Sequence, residues 1–281
     1  MADHGLPVLY ALFLWWFSTG LILYLDGLPR RTFRWSMLAA TAITALALWG
    51  LVASSDDTSI AGAYVAFTCG LAIWGWHEMS FLMGIVTGPL RTACPPGCRG
   101  WRHLGHALRA ILWHELAILA TMLLVVLLTW GGTNQVGTWT FLVLWVMRLS
   151  AKLNVYLGVP NLTEEFLPEH LHYLRSFIAR KPMNLLFPVV VTVSTVVATH
   201  LVDLALSADE GAFDAVAFTF VSILLALAIL EHWFLVLPLP DAALWNWALR
   251  SRRPEPPAAG TPALDVPFRT FATATALGRR T

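Results

Sequence analysis

The sequence predicts an all-α polytopic membrane protein with about seven transmembrane helices. Composition is the first reason: 57% of the 281 residues are apolar and only 12% charged, against roughly 25% charged in soluble domains. Hydropathy patterning is the second. The apolar residues gather into seven runs, each long enough for the roughly 20 residues that a membrane helix needs. Lipid cannot satisfy an open backbone, and no period-2 alternation supports a barrel, so the runs read as helices. This balance excludes a soluble globular protein, a disordered chain and a nucleic-acid binder. The net charge of +1 points to no acidic partner. The three cysteines do not read as a disulfide framework.

The spans are expected near 7–25, 35–53, 61–87, 107–130, 138–157, 184–206 and 212–238. Asp3 and His4 flank the first where a cleavable signal would carry basic residues, so this span is expected to stay in the mature protein. Trp35 and Trp49 frame the second, and Trp130 and Trp139 the connection after the fourth, as interface anchors. In the third, Cys69 reads as a small apolar residue, and Gly84 and Gly88 as a small-xxx-small pair for close helix packing. His200 and Asp203 sit one turn apart near the outer end of the sixth.

Charge sets the orientation. Arg30, Arg31 and Arg34 follow span 1, Arg91, Arg99 and Arg102 follow span 3, and Arg175, Arg180 and Lys181 follow span 5. The opposite connections carry Asp56, Asp57, Asp209 and Glu210 with no Lys or Arg. The positive-inside rule therefore predicts a periplasmic amino terminus and a cytoplasmic carboxyl terminus. Two domains of description result: a seven-helix transmembrane domain, 1–249, and a disordered cytoplasmic tail, 250–281, rich in Pro, Ala, Thr and Gly. Residues 160–183 are expected to form a cytoplasmic interfacial segment. Thr163 with Glu164 and Glu165 resembles a helix start, and Leu167, Leu171, Leu174 and Ile178 share a helical face. Glu164, Glu165, Glu169, His170 and His172 are the partner-facing candidates there. Residues 241–253, with Trp245 and Trp247, could lie on the surface in the same way.

Ionisable residues inside a membrane are costly and ask for a reason. His77 and Glu78, His114 and Glu115, Arg148 and Lys152, and Glu231 and His232 all fall in the cytoplasmic half. Three readings compete for them. The first is a charge network in which Arg148 and Lys152, one turn apart on one face, balance the three glutamates and fix helix packing. The second is a metal site, iron or another metal, built from His77, Glu78, His114, Glu115, Glu231 and His232; adjacent His-Glu pairs do not match the Glu-x-x-His pattern of di-iron bundles. The third is pigment contact. A neutral histidine can ligate the central metal of a tetrapyrrole, and Trp74, Trp76, Trp113, Trp145 and Trp233 lie beside these residues. Outside the spans, Cys94, Cys98, His103 and His106 could hold zinc, although Cys-x₃-Cys is not a strong signature.

Several segments resemble the PuhE-type photosynthetic complex assembly proteins of purple and related phototrophic bacteria. They are Tyr10 to Gly20, Leu25 to Arg31, Trp74 to Phe81, Trp113 to Leu116, Asn154 to His170 and Glu231 to Asp241. The long Asn154–His170 and Glu231–Asp241 runs are the specific ones. The resemblance spans about 7–249. It implies a multi-pass protein of the bacterial cytoplasmic or intracytoplasmic membrane, in cells that make bacteriochlorophyll. It also implies a role in biogenesis of the reaction centre and core antenna or in pigment supply. The expected partners are the lipid bilayer and photosynthetic subunits or pigment-synthesis enzymes. No catalytic residue carries over. The leading expectation is a non-catalytic assembly factor that handles bacteriochlorophyll or a newly inserted subunit. The alternative is a membrane metal-dependent oxidoreductase acting on a tetrapyrrole or carotenoid.

Overall fold

The computed structural model describes residues 2–161, 166–209 and 211–252, with no strand among the described residues. Seven long helices follow one another: α1 Ala2–Asp26, α2 Arg30–Ser54, α3 Ile60–Leu82, α4 Gly100–Leu128, α5 Val136–Leu157, α6 Leu186–Ser207 and α7 Phe213–Phe234. A short α8, Asn246–Leu249, comes after them. Six of the seven are long and apolar enough to cross a membrane, which makes this a multi-pass membrane protein. The seventh is α3. Its 23 residues suffice in length, but glycines, tryptophans, His77 and Glu78 dilute its apolarity. Position explains the difference. α3 packs against α1, α2, α4, α5 and α7, so its sides meet protein rather than lipid, and the bundle interior is where a membrane protein keeps polar groups.

Aromatic packing joins the centre. Phe67 of α3 stacks on Phe220 of α7 with centroids 4.3 Å apart and planes at 12°. Tyr64 meets Phe220 edge-on at 4.8 Å, and Tyr10 of α1 closes on Tyr64 at 5.0 Å. The Tyr10 and Thr68 hydroxyls are hydrogen-bonded at 2.8 Å. Lipid tails are as apolar as these side chains, so close van der Waals fit and such hydrogen bonds hold the helices together.

The two ends of the bundle differ. At one, the connections 55–59, 129–135 and 208–212 are short. Ser59 caps α3 by accepting from the Gly62 N–H at 3.0 Å, and the Asn134 side chain ties two connections by donating to the Asp57 carbonyl at 3.0 Å. At the other end lie the long connections 83–99 and 158–185 and the stretch after α7.

Three expectations are corrected at this end. The third span stops at Leu82, not 87: Gly84 turns the chain at φ +71°, a left-handed value that a side chain resists. Gly84 and Gly88 therefore do not pack two helices. Gly88 instead lets the connection press on α4, where an added Cβ would stand 2.1 Å from the Arg109 carbonyl oxygen. The interfacial segment is the second correction. It is a 3-10 helix, Glu169–Phe177, rather than an α-helix. With three residues per turn its eclipsed row is Leu171, Leu174 and Phe177, and Leu171 and Phe177 are buried. The third concerns 241–252, which is not one amphipathic helix but three short helical turns, Asp241–Trp245, Asn246–Leu249 and Arg250–Arg252, docked along α1. The Trp16 indole donates to the Leu244 carbonyl and the Trp245 indole to the Trp16 carbonyl, both at 2.9 Å. Arg252 reaches Asp26 at 2.6 Å. Glu231, near the end of α7, meets Trp15 of α1, and the stretch after α7 contacts α1 from Trp16 onward. Thr163, Glu164, Glu165 and the expected tail from 253 onward lie outside the described residues.

Candidate functional site

The polar residues singled out inside the spans converge on α3, α4, α5 and α7. Arg148 of α5 donates to Glu78 of α3 at 2.8 Å, and Lys152, one turn further, pairs with Glu115 of α4 at 2.6 Å. Lys152 also lies 5.6 Å over the Phe81 ring. The third carboxylate, Glu231 of α7, takes its hydrogen bond from the Trp15 indole at 2.7 Å, while Arg148 stays within its electrostatic reach. The carboxylates are thus held by donors, in the arrangement of the charge-network reading.

The three histidines differ in how they are held. His232 has both ring nitrogens engaged, Nδ1 with the Ala228 carbonyl at 2.8 Å and Nε2 with the Ser150 hydroxyl at 2.9 Å. Since a carbonyl only accepts, Nδ1 carries the proton and the serine donates to Nε2. His77 meets the Thr121 hydroxyl through Nε2 at 3.0 Å, and its Nδ1 is buried without a hydrogen-bond partner. His114, 0% exposed, has no hydrogen-bond partner for either ring nitrogen. Its ring stands 4.5 Å from that of Phe81 and 6.5 Å from that of His77. Glu78 Oε1, Arg148 Nε and the Trp145 indole nitrogen are buried without a hydrogen-bond partner too. Unmade hydrogen bonds of this kind cost about 1–3 kcal/mol each. Several of them around two salt bridges mark this as the polar centre where a water chain or a ligand's polar edge would be stabilised.

A macrocycle does not fit on these histidines in this conformation. His77, His114 and His232 are enclosed by helices, so ligating a tetrapyrrole metal would require the bundle to part. A metal held by these six residues meets the same geometry. Among the described residues the His/Glu set forms no cluster close enough for one ion, and the carboxylates would have to leave Arg148, Lys152 and Trp15. The approach to the centre is through Arg148, whose side chain is 40% exposed beside a Glu78 that is 12% exposed. Of the tryptophans read as pigment contacts, Trp74 is buried against Phe141 at 5.6 Å, and Trp113 is exposed.

The basic end holds the remaining candidates. His170 is half-buried. Its ring turns inward and Nε2 donates to the Leu82 carbonyl at 2.8 Å, capping α3. Desolvation in that groove holds its pKa below the ordinary histidine value, helped by Arg30, Arg252 and His172 and opposed by the Leu82 bond. Glu169 and His172 are exposed, with His172 against Arg175 at 3.1 Å. A cavity of about 160 Å³ opens beside this segment, between Arg30, Thr87, Arg91, His170 and Tyr173. Further along, Cys94, Cys98 and His106 bring Sγ, Sγ and a ring nitrogen within 4.8 Å of one another, and His103 Nδ1 is 3.3 Å from Cys94 Sγ. Desolvation and the neighbouring Cys98 thiol push the Cys94 thiol up to about 11.

Three asparagines do work that sequence reasoning overlooked. Asn184 donates to the Asn154 and Gly158 carbonyls at 3.2 and 2.9 Å and accepts from the N–H groups of Leu186 and Phe187. It thereby ties the end of α5 to the start of α6. Asn161 holds the end of α7 by donating to the Phe234 and Leu237 carbonyls. Asn154, fully buried, donates to the Ser150 carbonyl at 3.0 Å. The signal was available: an asparagine just before a long apolar run is a helix-start residue.

Comparison with known proteins adds the following. A family model described as "Protein of unknown function (DUF3623)" matches residues 1–256. A Rhodobacter capsulatus protein described as "Uncharacterized 30.4 kDa protein in puhA 5'region" is 40% identical over 256 residues, covering 89% of this chain and 93% of its own. No solved structure matches the chain.

Proposed function

We propose a function from one premise: the chain belongs to the DUF3623 family. It serves as a membrane assembly factor for the photosynthetic reaction centre and core antenna, in the cytoplasmic or intracytoplasmic membrane of a phototrophic bacterium. The observation that carries this reading is the Rhodobacter capsulatus relative, named for its position in the puhA 5' region and alike over nearly the whole of both chains. It fits the resemblance to PuhE-type assembly proteins in the Asn154–His170 and Glu231–Asp241 runs.

The geometry supports a holding role. Two internal salt bridges tie α3 and α4 to α5, an indole–carboxylate bond ties α1 to α7, and the Ser150–His232 bond joins α5 to α7. Around them α2, α4 and α6 present exposed Leu, Ile, Val and Trp side chains to lipid, a surface on which a newly inserted subunit helix or a pigment can rest. The basic end, with its exposed Glu169 and His172, faces the cytoplasm under the positive-inside rule and would meet the extramembrane part of a subunit or a pigment-synthesis enzyme. Pigment handling in this reading uses the lipid-facing surface and the Arg148 opening, not ligation by the enclosed histidines. A second reading, a metal-dependent oxidoreductase acting on a tetrapyrrole or carotenoid, draws on the unpaired nitrogens of His77 and His114 and requires the helices to rearrange before these residues could share an ion.

The test is deletion of the gene in a phototrophic bacterium that carries it, followed by absorption spectra of membranes and chromatography of extracted pigments. Lowered reaction centre and core antenna with the normal end-product pigment is the expected outcome. Accumulation of one discrete pigment precursor would transfer the assignment to the oxidoreductase. Unchanged complexes and pigments would refute both.

A further inference from the structure

The connection between α3 and α4 carries the inference. It holds two of the three cysteines in the chain, and its turn is built to bring them together. Pro95, Pro96 and Gly97 separate Cys94 from Cys98. Gly97 takes φ +78°, and the Cys98 N–H closes the turn on the Pro95 carbonyl at 3.2 Å. Such a turn returns the chain on itself, so both thiols come to one side. Helix α4 starts at Gly100. His103 and His106 are three residues apart in its first turns, which puts them on one face.

The distances then follow. Cys98 Sγ is 3.2 Å from His106 Nδ1, and Cys94 Sγ is 3.3 Å from His103 Nδ1. Cys94, Cys98 and His106 offer ligand atoms that all lie within 4.8 Å of one another. Tetrahedral zinc, with bonds of about 2.3 Å to sulfur and about 2.0 Å to nitrogen, holds neighbouring ligand atoms at separations of this order. Two thiolates and two imidazoles are the donor set that zinc selects over harder cations.

We infer that Cys94, Cys98, His103 and His106 bind a structural zinc ion at the basic end of the bundle. This assignment is independent of the assembly role proposed above. Cys94, Cys98 and His106 already form a three-ligand group; His103, which lies against Cys94 alone, would turn toward the ion as the fourth ligand and close the tetrahedron, making the site a clip rather than a reaction centre. What it clips is visible. The His103 ring stacks on Tyr156 at the end of α5, with centroids 5.5 Å apart and planes at 25°, and lies 5.7 Å from Phe177. The Cys94 N–H donates to the Ser176 hydroxyl at 2.8 Å. Zinc would therefore bind together the α3–α4 connection, the start of α4, the end of α5 and the 3-10 helix. Arg91 and Arg99 lie in this connection and Arg102 in the first turn of α4. They do not oppose the ion, because two thiolates neutralise it and the centre carries no net charge.

The experiment uses the full chain, purified in mild detergent without chelators or a histidine tag. Elemental analysis should return about one zinc per chain. Cobalt replacing the zinc should show the thiolate charge-transfer and tetrahedral d–d absorption of a mixed sulfur–nitrogen site. Cys98→Ser should reduce the zinc at least about tenfold, in line with loss of a ligand, while Cys69→Ser, in α3 and away from the cluster, should retain it. The cobalt spectrum is read on the unsubstituted protein, so it does not depend on any variant folding. Zinc at background level with both thiols free to alkylate would overturn the inference. So would a Cys94–Cys98 disulfide in the mass spectrum, or full zinc retention by Cys98→Ser.

Discussion

Lys152 and Glu115 make the residue-scale case most clearly. Their ion pair spans α4 and α5 at 2.6 Å, with each side chain about one-fifth exposed. Removing one partner strands the other charge where neither water nor lipid can serve it, a loss of about 3–5 kcal/mol in buried pairs. Removing both in favour of apolar side chains of like size is often neutral. Glu115→Gln should therefore lower the unfolding temperature in detergent sharply, and Glu115→Leu combined with Lys152→Met should restore most of it. Equal destabilisation by the single and double changes would mean that the charges act separately. The histidines teach a related point. His77, His114 and His232 look equivalent in sequence, each beside a glutamate. What separates the satisfied His232 from the unpartnered His114 is a carbonyl one turn back on its own helix, Ala228, and a hydroxyl from a distant helix, Ser150, as Thr121 supplies for His77.

At the scale of elements, the basic end is organised by segments that are not membrane helices. The 3-10 helix Glu169–Phe177 docks against the end of α3 through His170 and Leu82. His170 titrates below the ordinary histidine value of 6.5 in the folded protein. The unfolded state therefore binds more protons as the solution becomes acidic. The stability that His170 contributes is complete above about 6.5 and is lost as pH falls through the lower folded value. The unfolding temperature should drop on acidification below that point, and His170→Gln, which keeps a donor for Leu82 without titrating, should flatten the drop. An identical pH profile for the two proteins would refute the coupling. The helical face read for this segment failed because a 3.6-residue period was assumed, whereas the residues follow a three-residue turn. Pro168 fixes the entry, and buried Leu171 and Phe177 set the pitch through contacts that a single segment does not reveal.

For the whole molecule, seven crossings, one by each long helix, would put Ala2 and Arg252 on opposite sides of the membrane. The distribution of arginine then predicts which is which. A reporter that fluoresces only in the cytoplasm should be active when fused after Arg252 and silent at the amino terminus. A phosphatase that works only in the periplasm should give the reverse. The opposite pattern would overturn the orientation and with it the cytoplasmic placement of the cysteine–histidine loop. Connections at the acidic end are short and tied by Ser59 and Asn134. The longer connections, 83–99 and 158–185, gather at the basic end.

Helix count, approximate spans and the sidedness of charge were legible in the sequence, because hydropathy and the cost of moving arginine across a membrane act locally along the chain. That the ionisable residues stand at similar levels along the bundle was legible too, since position within a helix sets level at about 1.5 Å per residue. Pairing was not. That Arg148 meets Glu78, that Glu231 turns to Trp15 and that 241–252 runs beside α1 depends on how helices far apart in the chain rotate and lean on one another. Lipid gives no strong preference for one rotation. The choice falls to close packing and to matching every buried donor with an acceptor, and only the tertiary structure makes it.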